Sequence, residues 1–269
     1  MKRALHWERW NLFAPLGRTM IAGVHELGAV FFFFLKGMGL IVSYPFQLKK
    51  MVEQTYFMGA KSMFIILLVA LFTGMVLGLQ LFYTLVQFGS EGVLGAAVAL
   101  SVIRELGPVL AAIMIVARAG SAMTAEIGIM RISEQIDALE TMDVNPIRYL
   151  ISPKMAAAVV SFPLLTALFD VTAIFGGYVS GVLLLKINSG IYFSRMTDLI
   201  TLQDISGGFY KSLAFGLIVV TICCYQGFYV HLRRVGFGAK GVSLATTSAV
   251  VLSCVLILIT DYVLTSFLL

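Results

Sequence analysis

Five stretches of this chain stay apolar for the roughly 20 residues that a helix needs to cross a bilayer, and no other feature limits its fold so tightly. They run over about 63–85, 93–116, 155–185, 213–230 and 244–268. Hydrocarbon offers no water to satisfy backbone N–H and C=O groups, so runs of this kind must be helices or a closed barrel. They are continuous rather than alternating, which excludes the barrel. Only 12% of residues are charged and 59% are hydrophobic, where soluble domains average roughly 25% charged. The expected fold is an all-α polytopic membrane protein of about five transmembrane helices.

Charge placement sets the expected orientation. The net charge of +5 does not indicate nucleic acid, because lysine and arginine sort to one side of a membrane. Arg118, Arg131, Arg148 and Lys154 fall in one loop, and Arg233, Arg234 and Lys240 in another on the same side; Lys49, Lys50 and Lys61 precede the first span. The opposite loops hold Lys186, Arg195 and Lys211. The basic side is read as cytoplasmic, with the N-terminus inside and the C-terminus outside. Residues 1–56 form a separate segment ahead of a transmembrane domain at 57–269. Within that segment 27–46 is apolar, but Lys36 sits in its middle, and a charge at mid-bilayer costs about 2.5–3.5 kcal/mol. The reading adopted is an interfacial helix with Trp7 and Trp10 at the headgroups and basic side chains snorkelling. A full crossing is the alternative, and it moves the N-terminus outside while the later spans keep their direction.

Two features carry chemistry. Arg104 and Glu105 lie some way into the second run, and ionisable residues at membrane depth face a bundle interior or a wet cavity. Gly107-Pro108 follows at once; proline lacks the N–H and crowds the preceding turn, so a break is expected beside the charges. The pair is open to a functional role or to a structural ion pair, for instance with Asp170 or Asp261. The next loop, about 128–145, places Ile129, Ile132, Ile136 and Leu139 on one helical face and Glu134, Asp137 and Glu140 on the other. One amphipathic cytoplasmic helix is expected there, stopped by Asn145-Pro146 and pinned between two spans. Gly74/Gly78, Gly177/Gly181 and the small residues of 117–125 allow close helix approach, as at a homodimer interface.

The absences matter as well. No GxxxxGK[ST] is present, so this chain binds no nucleotide through a P-loop of its own. No HExxH or hydrolytic triad is recognisable, and His6, His25 and His231 are read as non-catalytic. Cys223, Cys224 and Cys254 lie in apolar runs without metal-ligand spacing. If the chain does work on a substrate, the energy is expected from a partner or a gradient, and no enzymatic activity, metal or cofactor of its own is expected.

The stretch "RELGPVLAAIMIVARAGSAMTAEIGIMRISEQIDALETMDVNPIRYLISPK" resembles the signature of the permease subunits of Mla-type, MCE-associated lipid ABC transporters, and "GVSLATTSAVV" and "DYVLT" are similar to later blocks of that family in the same order. The resemblance covers roughly residues 56–269. It implies a homodimeric permease in the bacterial inner membrane. Its partners would be a cytoplasmic ABC ATPase that binds ATP and Mg, a STAS-domain protein and a periplasmic hexamer of MCE-domain subunits. Its substrate would be phospholipid, moved between inner and outer membranes. It further implies that the loop helix docks on the ATPase through Arg131, Glu134, Asp137 and Glu140. Arg104 and Glu105 would lie at the lipid cavity, with Leu77, Leu81, Leu85 and Phe88 as its apolar wall. Relatives often carry a basic residue in the "ATT" block, where this chain has Leu244 and Ser248.

Two competing readings remain at this stage. A gradient-driven secondary transporter would use Glu105, Asp170 or Asp261 as a proton site, although no internal repeat is detectable. A membrane scaffold would only assemble partners.

Overall fold

Every regular element among the described residues is helical, as a backbone in hydrocarbon requires. The computed structural model describes residues 5–41, 47–232 and 238–268, with side chains from Gly17 onward except Thr19. The side chains of His6, Trp7 and Trp10, and Arg233 and Arg234 of the basic loop, lie outside the described residues. The chain begins with α1 (Leu5–Gly39), α2 (Leu48–Met58) and α3 (Ala60–Gln87). Next, α4 (Leu94–Ser101), α5 (Gly107–Ile115) and α6 (Ser121–Ile132) join end to end through wide π-type turns at Val102–Leu106 and Val116–Gly120. The short α7 (Gln135–Thr141) leads to α8 (Ser152–Tyr178), the surface helix α9 (Ser189–Leu199), α10 (Leu202–Phe228) and α11 (Ala239–Leu268).

Among the described residues six segments are long and apolar enough to cross a membrane: the five expected runs and Met20–Gly39 of α1. The spans differ from expectation mainly at their ends. The second extends through Glu91–Ile132, 42 residues, because the small residues of 117–125 continue the helix instead of ending it. The fourth starts at Leu202 rather than near 213, since Thr201 and Asp204 form a capping box in which the Thr201 amide donates to Asp204 Oδ2 at 2.8 Å. Lys211 therefore belongs to a helix and not to an outer loop.

Contacts fix the directions of the helices. Gly59 lies beside Ser161, and Gly78 beside Gly177 and Ser180, so α3 and α8 run the same way. Arg104 pairs with Asp204 and Thr124 donates to the Cys223 carbonyl, so α4–α6 and α10 also run alike. Gly128 meets Val242 while Glu105 meets Thr265, which sets α11 against them. The helix α1 is anchored near its C-terminal end. There Phe33 is buried among the rings of Tyr225, Phe228 and Tyr229 at 5.6–6.0 Å, and Ser152 Oγ donates to the Gly37 carbonyl.

The glycine patterns expected to allow close helix approach do so inside the protomer. A Cβ on Gly74 would collide with the Ala173 backbone, and one on Gly176 with the Leu71 carbonyl; Gly120 lies against Cys223 Sγ. Glycine is what lets α3 lie on α8, and the Gly120 turn on α10.

The amphipathic loop also differs from the single helix expected over 128–145. α6 ends at Ile132, Glu134 adopts φ 57°, and α7 starts afresh at Gln135. The expected apolar face is thereby split: Ile136 is buried, whereas Ile129 and Ile132 are exposed. Arg131 and Asp137, paired at 2.7 Å, brace the break between the two helices. The short helix expected between spans three and four is α9, capped by the Asn188 side chain, which accepts from the Gly190 amide at 2.8 Å. Burial against Tyr178 and Phe193 pushes the Tyr192 phenol up to about 12.

A measurable consequence concerns packing. Gly74→Ala should cost about 1–3 kcal/mol, because backbone rather than a flexible side chain blocks the new methyl. Gly28→Ala, with open space around it, should cost nothing. Thermal unfolding of the two variants in detergent checks the contrast.

Candidate functional site

The site begins with a fault in a helix. At Val102–Leu106 the ladder widens, so that the Gly107 amide reaches back to the Val102 carbonyl, and Pro108 has no N–H to offer. The carbonyls of Ile103 and Arg104 thereby leave the regular i→i−4 pattern. Buried carbonyls without partners are costly, and α10 meets both. Gly208 passes against the Ile103 oxygen, where an added Cβ would lie at 2.6 Å. One turn later Lys211 Nζ donates to the Arg104 carbonyl at 2.8 Å.

Lys211 is 2% exposed, and an ammonium group has three protons. They go to the Arg104 carbonyl, to Glu105 Oε2 at 2.8 Å and to Thr265 Oγ1 at 2.7 Å. Asp261 Oδ1 lies 3.0 Å away in ionic contact but receives no hydrogen bond, since no proton is left for it. Thr265 passes its own proton on to Glu105 Oε1 at 3.1 Å. One cation thus joins α10 to α11 and to the break before α5.

Arg104 turns the other way. Its Nε donates to Asp204 Oδ1 at 2.6 Å, while Asp204 Oδ2 accepts from the Thr201 amide and hydroxyl, both at 2.8 Å. The carboxylate of Asp204 is buried and fully engaged. Arg104 remains 42% exposed, and its two Nη groups make no hydrogen bond among the described residues. Glu105 is 38% exposed. Both open into a cavity of about 310 Å³ lined by Arg104, Glu105, Thr201, Gln203, Asp204, Gly207, Gly208, Lys211, Thr265 and Leu268.

Of the residues anticipated from sequence, the structure brings Arg104 and Glu105 into this cavity. Leu77, Leu81 and Leu85 form a partly buried stripe on α3 against the core, and Phe88 is exposed just past that helix; none of the four lines the cavity. Asp261 joins the cluster through Lys211, whereas Asp170 rests against Gly107 with Oδ1 buried and without a hydrogen bond. Sequence reading missed Lys211, Asp204, Thr201 and Thr265. The T-x-x-D pattern of Thr201–Asp204 is a helix-start signal, and it would have carried Lys211 into the span.

The same long helix is tied to its surroundings further along. At the second wide turn Arg118 donates to the Phe57 carbonyl at 2.5 Å and to Ser62 Oγ at 3.2 Å, holding the junction of α2 and α3. Lys154, also buried, pairs with Glu126 at 2.9 Å and donates to Gln54 at 3.1 Å, linking α8, α6 and α2. At the end of α6 the Arg131 guanidinium pairs with Asp137, donates to His231 Nδ1 at 2.9 Å and lies over the Phe228 ring. Burial, and then Arg131 beside it, hold the His231 imidazole below its usual range. Glu134 and Glu140 are exposed and have no ion-pair partner among the described residues.

A sequence profile described as Permease MlaE matches residues 51–267. The chain belongs to the MlaE permease family. It is similar to the intermembrane phospholipid transport system permease protein MlaE of Haemophilus influenzae, at 39% identity over 95% of this chain and 97% of the other. A probable ABC transporter permease protein of Rickettsia bellii is 38% identical over 95% and 96% of the two chains. Another from Synechocystis is 37% identical over 91% and 89%. The matched region of this MlaE-family chain contains both wide turns of the second span, every charged residue of the cavity and the α6–α7 break, and leaves out α1.

Two outcomes follow from this geometry. Lys211→Met strands two carboxylates and a carbonyl, so it should destabilise by about 3 kcal/mol. Adding Glu105→Gln should recover part of that loss, a non-additivity that a double-mutant cycle in detergent will read. Arg131→Gln should raise the His231 midpoint in an NMR titration, though not fully to about 6.5, because burial is the larger cause.

Proposed function

We propose that this chain is the membrane-spanning subunit of an ATP-driven transporter that moves phospholipid between the inner and outer membranes of a bacterium. The observation that carries the reading is near full-length similarity to a permease named for intermembrane phospholipid transport. The cavity at Arg104 and Glu105 supports it, since a lipid phosphate is well matched by a guanidinium with free donors. Leu77, Leu81, Leu85 and Phe88 would guide the acyl chains on the α3 side.

In this reading the permease is a homodimer of the inner membrane. The basic end of the bundle, with Arg118, Arg131, Arg148, Lys154 and Lys240, faces the cytoplasm, and the C-terminus faces the periplasm. ATP and Mg bind a separate ABC ATPase, and a STAS-domain protein and a periplasmic hexamer of MCE-domain subunits complete the assembly. The α6–α7 break is the ATPase contact. Arg131 and Asp137 set its shape, and Glu134 and Glu140 present free charge to the partner. A stroke on α7 would pass along α6, α5 and α4 as one 42-residue helix to the Arg104 cavity.

One observation favours a second reading. Asp170, buried and unpaired beside the break, is the kind of carboxylate a gradient-driven transporter protonates.

Reconstitution of the purified assembly into proteoliposomes separates the two. Glu134→Lys/Glu140→Lys should abolish ATP-dependent lipid transfer, while Asp170→Asn and dissipation of the proton gradient leave it intact. Transfer that survives the charge reversals and stops with the gradient would contradict the ATP-driven reading.

A further inference from the structure

The cavity at the break is more particular than a site for any phosphate. Two carboxylates, Glu105 and Asp204, and two cations, Arg104 and Lys211, line it, and a third carboxylate, Asp261, reaches Lys211 from outside the lining. A pocket built for an anionic headgroup would carry surplus positive charge, and this one does not. The groups that remain available are of both signs. Lys211 has all three protons committed, and Asp204 has both oxygens engaged. Arg104 keeps its two Nη groups for a ligand. Glu105 is the one carboxylate of the three that is substantially exposed, and its Oε1, which accepts from Thr265 but not from Lys211, keeps a further lone pair. These two residues are neighbours in sequence and open into the same cavity.

The kind of cation follows from what else lines the space. A quaternary ammonium is recognised by aromatic faces, and the cavity lining contains no aromatic side chain among the described residues. Carboxylate, hydroxyl and amide oxygens line it instead: Glu105, Thr201, Gln203 and Thr265. Such acceptors reward a group that brings N–H donors. We infer that the cavity selects phospholipids whose headgroup carries a primary ammonium beyond the phosphate, with Arg104 holding the phosphate and Glu105 the ammonium. This inference rests on the phospholipid reading above and adds to it a headgroup class and a specificity-determining residue, Glu105.

The test uses the assembled complex in mild detergent. It is equilibrated with mixed micelles holding equal amounts of phosphatidylethanolamine, phosphatidylglycerol and phosphatidylcholine of identical acyl chains, and the retained lipid is quantified by mass spectrometry. Phosphatidylethanolamine should be enriched about fivefold over both others, the effect of one charge-assisted hydrogen bond in a partly wet cavity. Glu105→Gln should bring the ratio to about one, chiefly by lowering retained phosphatidylethanolamine, whereas Arg104→Gln should lower retention of all three lipids. In case Glu105→Gln does not fold, N-acetylated phosphatidylethanolamine offered to the unaltered complex makes the same comparison, and it should lose the enrichment. Equal retention of the three lipids, or undiminished retention of the acetylated one, overturns the inference and leaves the permease reading standing. Retention of no phospholipid at all would instead remove the reading on which it rests.

Discussion

The ammonium group of Lys211 is the point on which this architecture turns. A wide turn and a proline together release two carbonyls inside a membrane helix, where no bulk water is at hand to take them. Lys211 takes one, and the absence of a side chain at Gly208 lets the α10 backbone close over the other. A buried ammonium needs acceptors and opposite charge, which Glu105, Thr265 and Asp261 supply from two further positions. The break in one helix thereby dictates the polar residues of two others, and the cavity is the space left beside them.

Much of this was legible beforehand, for physical reasons that apply residue by residue. Apolar length located the five later spans, since nothing but a helix satisfies a long backbone in lipid. Proline chemistry located the fault at Gly107-Pro108 beside Arg104 and Glu105. Partners were harder to foresee: Asp204 and Thr265 meet the break from about 100 and 160 positions away in sequence, and no local pattern encodes such a contact. Lys211 was misplaced because a lysine near the end of an apolar run reads as a loop residue, until the capping box at Thr201 is given its weight. The glycine pairs read as close-approach motifs, and Gly74, Gly78 and Gly177 do bring helices of one protomer together; spacing shows that a face is small and not what it faces. The amphipathic stripe of 129–139 failed in a different way. Periodicity is continuous through Ser133-Glu134, yet the helix breaks there, with an ion pair between Arg131 and Asp137 that straddles the turn.

The second span now reads as one long beam fastened at intervals. Arg104 grips α10, Arg118 grips the α2–α3 junction, and Arg131 grips the residues after α10 together with α7. Arg104 and Arg118 sit within the two wide turns themselves, and wide turns are where a helix kinks or changes direction. Under the proposed function this arrangement gives force at α7 a continuous path to the cavity, with no need for the rest of the bundle to deform.

The central claim is that a phospholipid headgroup occupies the space beside Arg104 and Glu105. A phospholipid with a photoreactive group in its headgroup, cross-linked in the native membrane and mapped by peptide mass spectrometry, tests it most directly. The account predicts adducts within residues 103–108, 201–211 and 261–268. Adducts confined to other surfaces of the bundle, with those three segments unlabelled, would contradict it.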